Sequence, residues 1–281
     1  MQGRPWKQQQ GYRAVPDRGE IIVQAVVPFL IYAIATEILL LSCPFFKGDA
    51  AQAANVIAGC LTVAVWGKLR KRREPKKEDR SRLLSRENAV FIGALLAAGI
   101  FYCMGGSGLL TLIFFGVSKK AALEKLPSLE SLGFTFLCIG ILIPVIEEFL
   151  FRKTMYRTLR EDFGILFSAL FSSVVFGMYH GSLSQGLYAG GMGFFLALLY
   201  ERYQKLSVPV MVHVGANLSA LFLGLLPWTI LLTKSQILWI TAAGLLAFVV
   251  LSVWLLAGRE RATCINEKNG RDDIDGEKVS Q

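Results

Sequence analysis

Residues 141–152 read ILIPVIEEFLFR, an apolar run that holds two adjacent carboxylates, Glu147 and Glu148, and ends on Arg152. A charged side chain at the centre of a bilayer costs about 2.5 to 3.5 kcal/mol even on a lenient insertion scale. Such residues occur in membrane segments mainly where they form pairs, face a water-filled cavity or take part in chemistry. The run therefore predicts a membrane segment in which the two carboxylates are paired, face water or take part in chemistry.

The composition is that of a membrane protein. Of the 281 residues, 53% are hydrophobic, and the mean hydropathy is +0.47, which is too apolar for a soluble domain with a charged surface. A spanning helix needs about 20 mainly apolar residues. Runs that approach or reach this length lie at 21–43, 50–67, 88–105, 131–150, 164–182, 184–200, 208–227 and 236–257. We predict an all-α fold, a polytopic transmembrane helical bundle of about eight spans.

The net charge of +9 reflects basic residues in the short segments between these apolar runs. This distribution indicates membrane topology and contact with anionic headgroups, and it argues against a nucleic-acid partner. If the N-terminus is inside, 25 of the 30 Lys and Arg residues fall on the cytoplasmic side, ten of them in the loop 68–88. Because basic residues accumulate in cytoplasmic loops, we predict that both termini are cytoplasmic.

The chain divides into three parts. Residues 1–20 form a predicted cytoplasmic segment, residues 21–258 the transmembrane domain, and residues 259–281 a polar tail that we expect to be disordered. Within the domain, Gly186 and Gly190 form a GxxxG pattern that is typical of close helix–helix approach. The five cysteines are scattered and indicate neither a disulfide framework nor a cysteine zinc site.

The chain contains only two histidines, His180 and His213, and both lie in or beside apolar runs. Phe176 precedes His180 by four residues, and Asn217 follows His213 by four, so a helix places each pair on one face. Taken singly, a buried histidine is more often a packing residue, and a buried asparagine often links helices. Together with Glu147, these residues on three separate apolar runs indicate a reactive site.

The two adjacent carboxylates are expected to differ in function. Glu148 and Arg152 are four residues apart and can form an ion pair along one helix face. The pair could also be purely structural, with the Arg152 side chain extending from the end of the span to the cytoplasmic interface. Glu147 is turned by about 100° from Glu148 and lacks this partner. It is therefore the carboxylate that is free to exchange protons.

The ordered motifs E-E-x-x-x-R, F-x-x-x-H and H-x-x-x-N resemble those of the CAAX protease and bacteriocin-processing family. This family includes the type II CAAX prenyl endopeptidases, which are described as intramembrane glutamic proteases. The resemblance covers residues 131–220 and does not extend to the first three spans, the last span or the tail. Each motif alone is weakly specific, whereas the three in this order are fairly specific.

The resemblance implies an endopeptidase that cuts a peptide bond in or beside the membrane without a cofactor. Glu147 would act as general base on water with help from His180, and His213 and Asn217 would stabilise the oxyanion. Glu148, Arg152 and Phe176 would support these four catalytic residues. The substrate would be a membrane-tethered peptide or protein, and the expected location is a bacterial cell membrane.

Three alternatives use the same residues. Glu147, His180 and His213 could bind zinc as in a membrane metallopeptidase, although the chain has no HExxH motif. A non-proteolytic scaffold or bacteriocin-immunity protein could keep this fold without catalysis. A proton-coupled transporter could also place Glu and His in spans, but it predicts internal repeats, and we find none in the sequence.

Overall fold

The computed structural model describes residues 17–42, 49–70, 86–113, 132–225 and 231–277. These residues form helices and short connections, and no strand occurs among them, which confirms the predicted all-α class. The predicted N-terminal segment lies almost entirely outside the described residues, as does most of the basic loop.

Eight helices follow one another within the described residues. We number them α1 (Arg18–Ser42), α2 (Asp49–Arg70), α3 (Arg86–Ile113), α4 (Leu132–Arg160), α5 (Ile165–Met178), α6 (Leu183–Tyr203), α7 (Ser207–Leu225) and α8 (Lys234–Glu277). Seven of these helices are long and apolar enough to cross a membrane. The exception is α5, which has 14 residues and is shorter than the run at 164–182 suggested.

The last helix differs from the prediction at its C-terminal end. The sequence predicts disorder from Arg259 onwards, but the backbone of α8 remains helical as far as Glu277. Extension of an existing helix avoids the cost of nucleation, so a polar segment can continue a helix that an apolar span has begun. The polarity of the tail therefore did not predict its backbone conformation.

The bundle exposes large apolar side chains on its outer surface. Leu41, Met178 and Trp239 are each more than 70% exposed, and many other Leu, Ile and Val side chains on the spans are exposed as well. A water-soluble protein rarely presents apolar surface on this scale, whereas a lipid bilayer solvates it. The exposure pattern agrees with an integral membrane protein.

Helix α4 occupies the centre of the bundle and contacts α1, α2, α5, α6 and α7. It is not a regular α-helix throughout, because two π-helical segments, Cys138–Leu142 and Phe149–Tyr156, flank the α-helical turn Ile143–Glu148. Each π-helical turn inserts extra residues and rotates the side chains that follow, and such turns occur frequently at functional sites. The two adjacent carboxylates lie in the short α-helical turn between them.

Small residues bring the remaining helices together. A Cβ atom built on Gly177 of α5 would lie 2.6 Å from the carbonyl oxygen of Gly186 in α6, and Gly190 packs against the same turn of α5. The close helix approach that the GxxxG pattern predicts is thus confirmed. Helix α3 makes a similar contact with α7, where a Cβ atom on Gly99 would lie 2.0 Å from the carbonyl oxygen of Val212.

We expect Gly99→Ala to destabilise the bundle by about 1 to 3 kcal/mol, because the added methyl group overlaps backbone atoms of α7. Gly93→Ala in the same helix is the matched control, since a Cβ atom there meets no atom within 4 Å. Thermal unfolding of both variants in one detergent gives the comparison. Equal unfolding temperatures for the two variants would contradict the α3–α7 packing.

Candidate active site

The most deeply buried part of the site is an ion pair within α4. Nε of Arg152 lies 3.0 Å from Oε2 of Glu148, and both side chains are completely buried. The Nη2 group of Arg152 also donates a 3.4 Å hydrogen bond to Oε1 of Glu148. The ion pair that the spacing of these residues predicts is therefore present. It lies inside the bundle.

His213 of α7 joins this pair and connects it to the second carboxylate. Its Nδ1 atom is 2.9 Å from Oε1 of Glu148, and its Nε2 atom is 3.6 Å from Oε2 of Glu147. One imidazole thus lies between two adjacent carboxylates. Glu148 has two basic partners, Arg152 and His213, whereas Glu147 approaches only His213 among the described basic side chains.

The ring of Phe176 fills the space between these charged groups. It makes edge contacts with His180, at a centroid distance of 4.8 Å, and with His213, at 5.7 Å. The guanidinium carbon of Arg152 lies 5.4 Å from the centre of the same ring, within the range of a cation–π contact. One buried ring therefore contacts both histidines and the arginine, and the supporting role of Phe176 remains a prediction.

His180 lies in the turn that follows α5. Its Nδ1 atom is 2.8 Å from the carbonyl oxygen of Phe176, an acceptor, so Nδ1 carries the proton and Nε2 of the neutral ring is an acceptor. The next residue, Gly181, has φ of +73°, a conformation that side-chain-bearing residues rarely adopt. This turn leads into α6, whose N-cap, Ser182, accepts a hydrogen bond from the backbone N–H of Gln185.

Asn217 supports the irregular backbone of α4. In the first π-helical segment, the N–H of Ile143 bonds to the carbonyl oxygen of Cys138, five residues earlier. The carbonyl of Ile139 would need the N–H of residue 144, but residue 144 is proline and has none. Nδ2 of Asn217 donates a 2.9 Å hydrogen bond to this carbonyl oxygen. Asn217 therefore satisfies a backbone acceptor that lipid could not satisfy.

The alternative zinc set receives no support from the side-chain arrangement. Across the described ranges, no three His, Cys, Asp or Glu side chains are arranged to hold a metal ion. Both ring nitrogens of His213 face carboxylates, and the Nδ1 atom of His180 is directed at a backbone carbonyl. The expectation of a metal-free site remains a prediction.

Sequence analysis did not identify three further polar residues near Glu147. Tyr32 of α1 is fully buried and its hydroxyl donates a hydrogen bond to Oδ1 of Asn55 in α2. The ring of Tyr179 lies beside that of Tyr32, and both tyrosines interact with the charge of Glu147. Tyr179 directly precedes His180, but nothing in the local pattern indicates that residues of α1 and α2 reach the site.

Two comparisons with known proteins found similarities. Residues 129–219, which carry all the predicted site residues, match the family described as Type II CAAX prenyl endopeptidase Rce1-like. This similarity extends over less than half of the chain. The match runs from the connection before α4 to the middle of α7 and omits α1, α2, α3 and α8.

The chain is also 30% identical over 135 residues to a Bacillus subtilis (strain 168) protein named "Putative membrane peptidase YdiL". The alignment covers 46% of this chain and 55% of that relative, so the chain spans about half the length of the relative it matches. No solved structure matches the chain. Both matches are to proteins that are described as peptidases.

We expect Arg152→Met to destabilise the protein by about 3 to 5 kcal/mol, because it leaves the buried Glu148 carboxylate without its guanidinium partner. Arg160→Met is the matched control, since Arg160 pairs with Glu201 where both side chains are partly exposed, and its loss should cost less than about 1 kcal/mol. Thermal unfolding measures both losses. Equal effects of the two substitutions would show that burial does not matter to the Glu148 pair.

Proposed function

We propose that the chain is an intramembrane endopeptidase in which Glu147, assisted by His180, activates water to hydrolyse a peptide bond. The observation that carries this proposal is the unequal environment of the two adjacent carboxylates. Glu148 is held by Arg152 and His213, whereas Glu147 approaches only His213, at 3.6 Å, among the described basic side chains. The carboxylate that basic groups engage less closely is the one better able to take a proton from water.

Glu147 and His180 would share the proton transfers. Glu147 removes a proton from water as the oxygen attacks the peptide carbonyl, and the same proton then passes to the leaving amine. The Nδ1 proton of His180 is engaged with the carbonyl of Phe176, which leaves Nε2 as an acceptor for water. An acceptor oriented in this way helps to hold the attacking water beside a carboxylate base.

His213 and Asn217 would stabilise the negative charge on the tetrahedral intermediate. The carboxylate of Glu148 can only accept a hydrogen bond, so Nδ1 of His213 carries a proton. A second proton on Nε2 makes the ring a donor towards Glu147 and towards an oxyanion in the same space. Asn217 uses one Nδ2 hydrogen on Ile139 and keeps the second for this role.

The substrate in this proposal is a membrane-tethered peptide or protein segment. Such a substrate reaches a site at bilayer depth without leaving the membrane, and the basic segments would favour an anionic membrane face. The family name suggests prenylated C-terminal ends, and leader-peptide maturation in a bacterial membrane is an equally suitable reaction. The proposal therefore specifies the bond and the location, and not one substrate.

We expect Glu147→Gln to abolish proteolysis while it preserves the fold, because the amide is isosteric but cannot accept the water proton. General acid–base groups of this kind contribute about 10²- to 10⁴-fold to a rate. Mass spectrometry of membrane peptides from cells that produce the wild type or Glu147→Gln should show an uncleaved precursor that accumulates only with the variant.

Glu201→Gln is the matched control, because Glu201 pairs with Arg160 and Tyr156 and does not belong to the Glu147 cluster. Cells with this variant should show the wild-type peptide pattern. If Glu147→Gln leaves every membrane peptide unchanged while the cellular phenotype is preserved, the protease proposal is wrong and the scaffold or immunity alternative is favoured.

A further inference from the structure

Helices α1 and α2 lie outside the segment that matches the CAAX protease family, yet they contribute polar side chains to the site. Tyr32 of α1 is completely buried, and its hydroxyl bonds to the side chain of Asn55 in α2. A phenol and a carboxamide are costly at bilayer depth unless their polar atoms are satisfied. Tyr32 and Asn55 thus satisfy each other's polar atoms inside the bundle.

Tyr179 connects this polar pair to the reactive groups. Its ring centre lies 5.9 Å from that of Tyr32 and 6.2 Å from that of His180. An edge contact with Phe29, at 5.3 Å, holds the ring from the side of α1. Tyr179 is therefore fixed by two α1 side chains on one side and borders a proposed catalytic histidine on the other.

Tyr179 is less buried than the charged groups of the site. It interacts with the buried Glu147 and also with Glu37, an exposed carboxylate of α1. His213, like Glu148 and Arg152, is buried, whereas Tyr179, His180 and Asn55 are only partly buried. The partly buried side chains of Tyr179 and His180 therefore border the buried charged cluster.

We infer that Tyr179, held by Tyr32 and Asn55, is a positioning residue that orients the attacking water against Glu147. The inference rests on the proposed function and extends it to helices that the family match does not cover. A phenol hydroxyl is suited to this role, because it donates one hydrogen bond and accepts another without carrying charge. The competing structural explanation is that Tyr32 and Asn55 only join α1 to α2.

The first experiment measures cleavage in proteoliposomes, with a synthetic copy of the peptide that accumulates in Glu147→Gln cells as the probe. We expect Tyr179→Phe to lower kcat about tenfold with little change in KM, because one oriented hydrogen bond is lost in the transition state. Tyr102→Phe is the matched control. It also removes a phenol hydrogen bond at a partly buried position, to the carbonyl of Tyr188, but on α3.

The second experiment needs no substrate. The full-length protein is labelled with 3-fluorotyrosine in lipid nanodiscs, and the fluorine signals of its eight tyrosines are assigned with single Phe variants. We expect Glu147→Gln to shift the signals of Tyr32 and Tyr179, because both sense the Glu147 charge, and to leave the Tyr102 signal in place. This result supports the inference whether or not a substrate is known.

The two experiments separate the two proposals. If the wild type cleaves the probe and Tyr179→Phe has the same kcat, the positioning role is wrong and the protease proposal stands. If Glu147→Gln moves the Tyr179 signal no more than the Tyr102 signal, the positioning role is also wrong. If the wild type cleaves no peptide, the protease proposal fails, and the fluorine shifts alone decide whether Tyr179 belongs to the Glu147 cluster.

Discussion

A lipid bilayer cannot solvate a carboxylate, so each buried acid in this bundle depends on partners that the protein supplies. Glu148 has two such partners, Arg152 on its own helix and His213 on α7. These contacts fix the rotation of α4 against α7 and determine which acid remains available. Because the guanidinium and the imidazole both engage Glu148, Glu147 keeps only the longer approach of His213 among the described basic side chains. The different roles that we propose for Glu147 and Glu148 follow from the contacts of Glu148 with Arg152 and His213.

The backbone of α4 is adapted to the same purpose. Two π-helical segments flank the turn that carries both acids, and Pro144 leaves the carbonyl of Ile139 without a main-chain donor. In water a solvent molecule could satisfy that carbonyl, but at bilayer depth a side chain must do so. The hydrogen bond from Asn217 meets this need. Asn217 thus stabilises the irregular region of α4, in addition to its proposed contact with the oxyanion.

Much of the architecture follows from local sequence properties. Apolar runs predicted the bundle, and four-residue spacing predicted the Glu148–Arg152 pair and the Phe176–His180 contact, because both depend on helix geometry. The imidazole of His213 between two carboxylates 65 and 66 positions earlier is a long-range contact that periodicity does not encode. The position of Tyr32 near the site could not be predicted for the same reason, because α1 approaches the site only through tertiary packing.

Other differences have local causes that could have been recognised. A proline inside an apolar span signals an unsatisfied carbonyl, and Pro144 therefore pointed to a polar donor from a neighbouring helix. The length of α5 was overestimated, because hydropathy does not detect the turn around Gly181 that ends the helical region before α6. Polarity alone also failed to predict the helical backbone of α8 beyond Arg259.

The position of His213 between Glu147 and Glu148 is the central claim, and nitrogen-15 NMR of the histidine rings tests it most directly. The chain has only two histidines, so a His180→Gln variant assigns all four ring signals. We expect Glu148→Gln to move the Nδ1 signal of His213 and Glu147→Gln to move its Nε2 signal, with smaller changes at His180. His213 signals that are identical in the wild type and both variants would contradict the account.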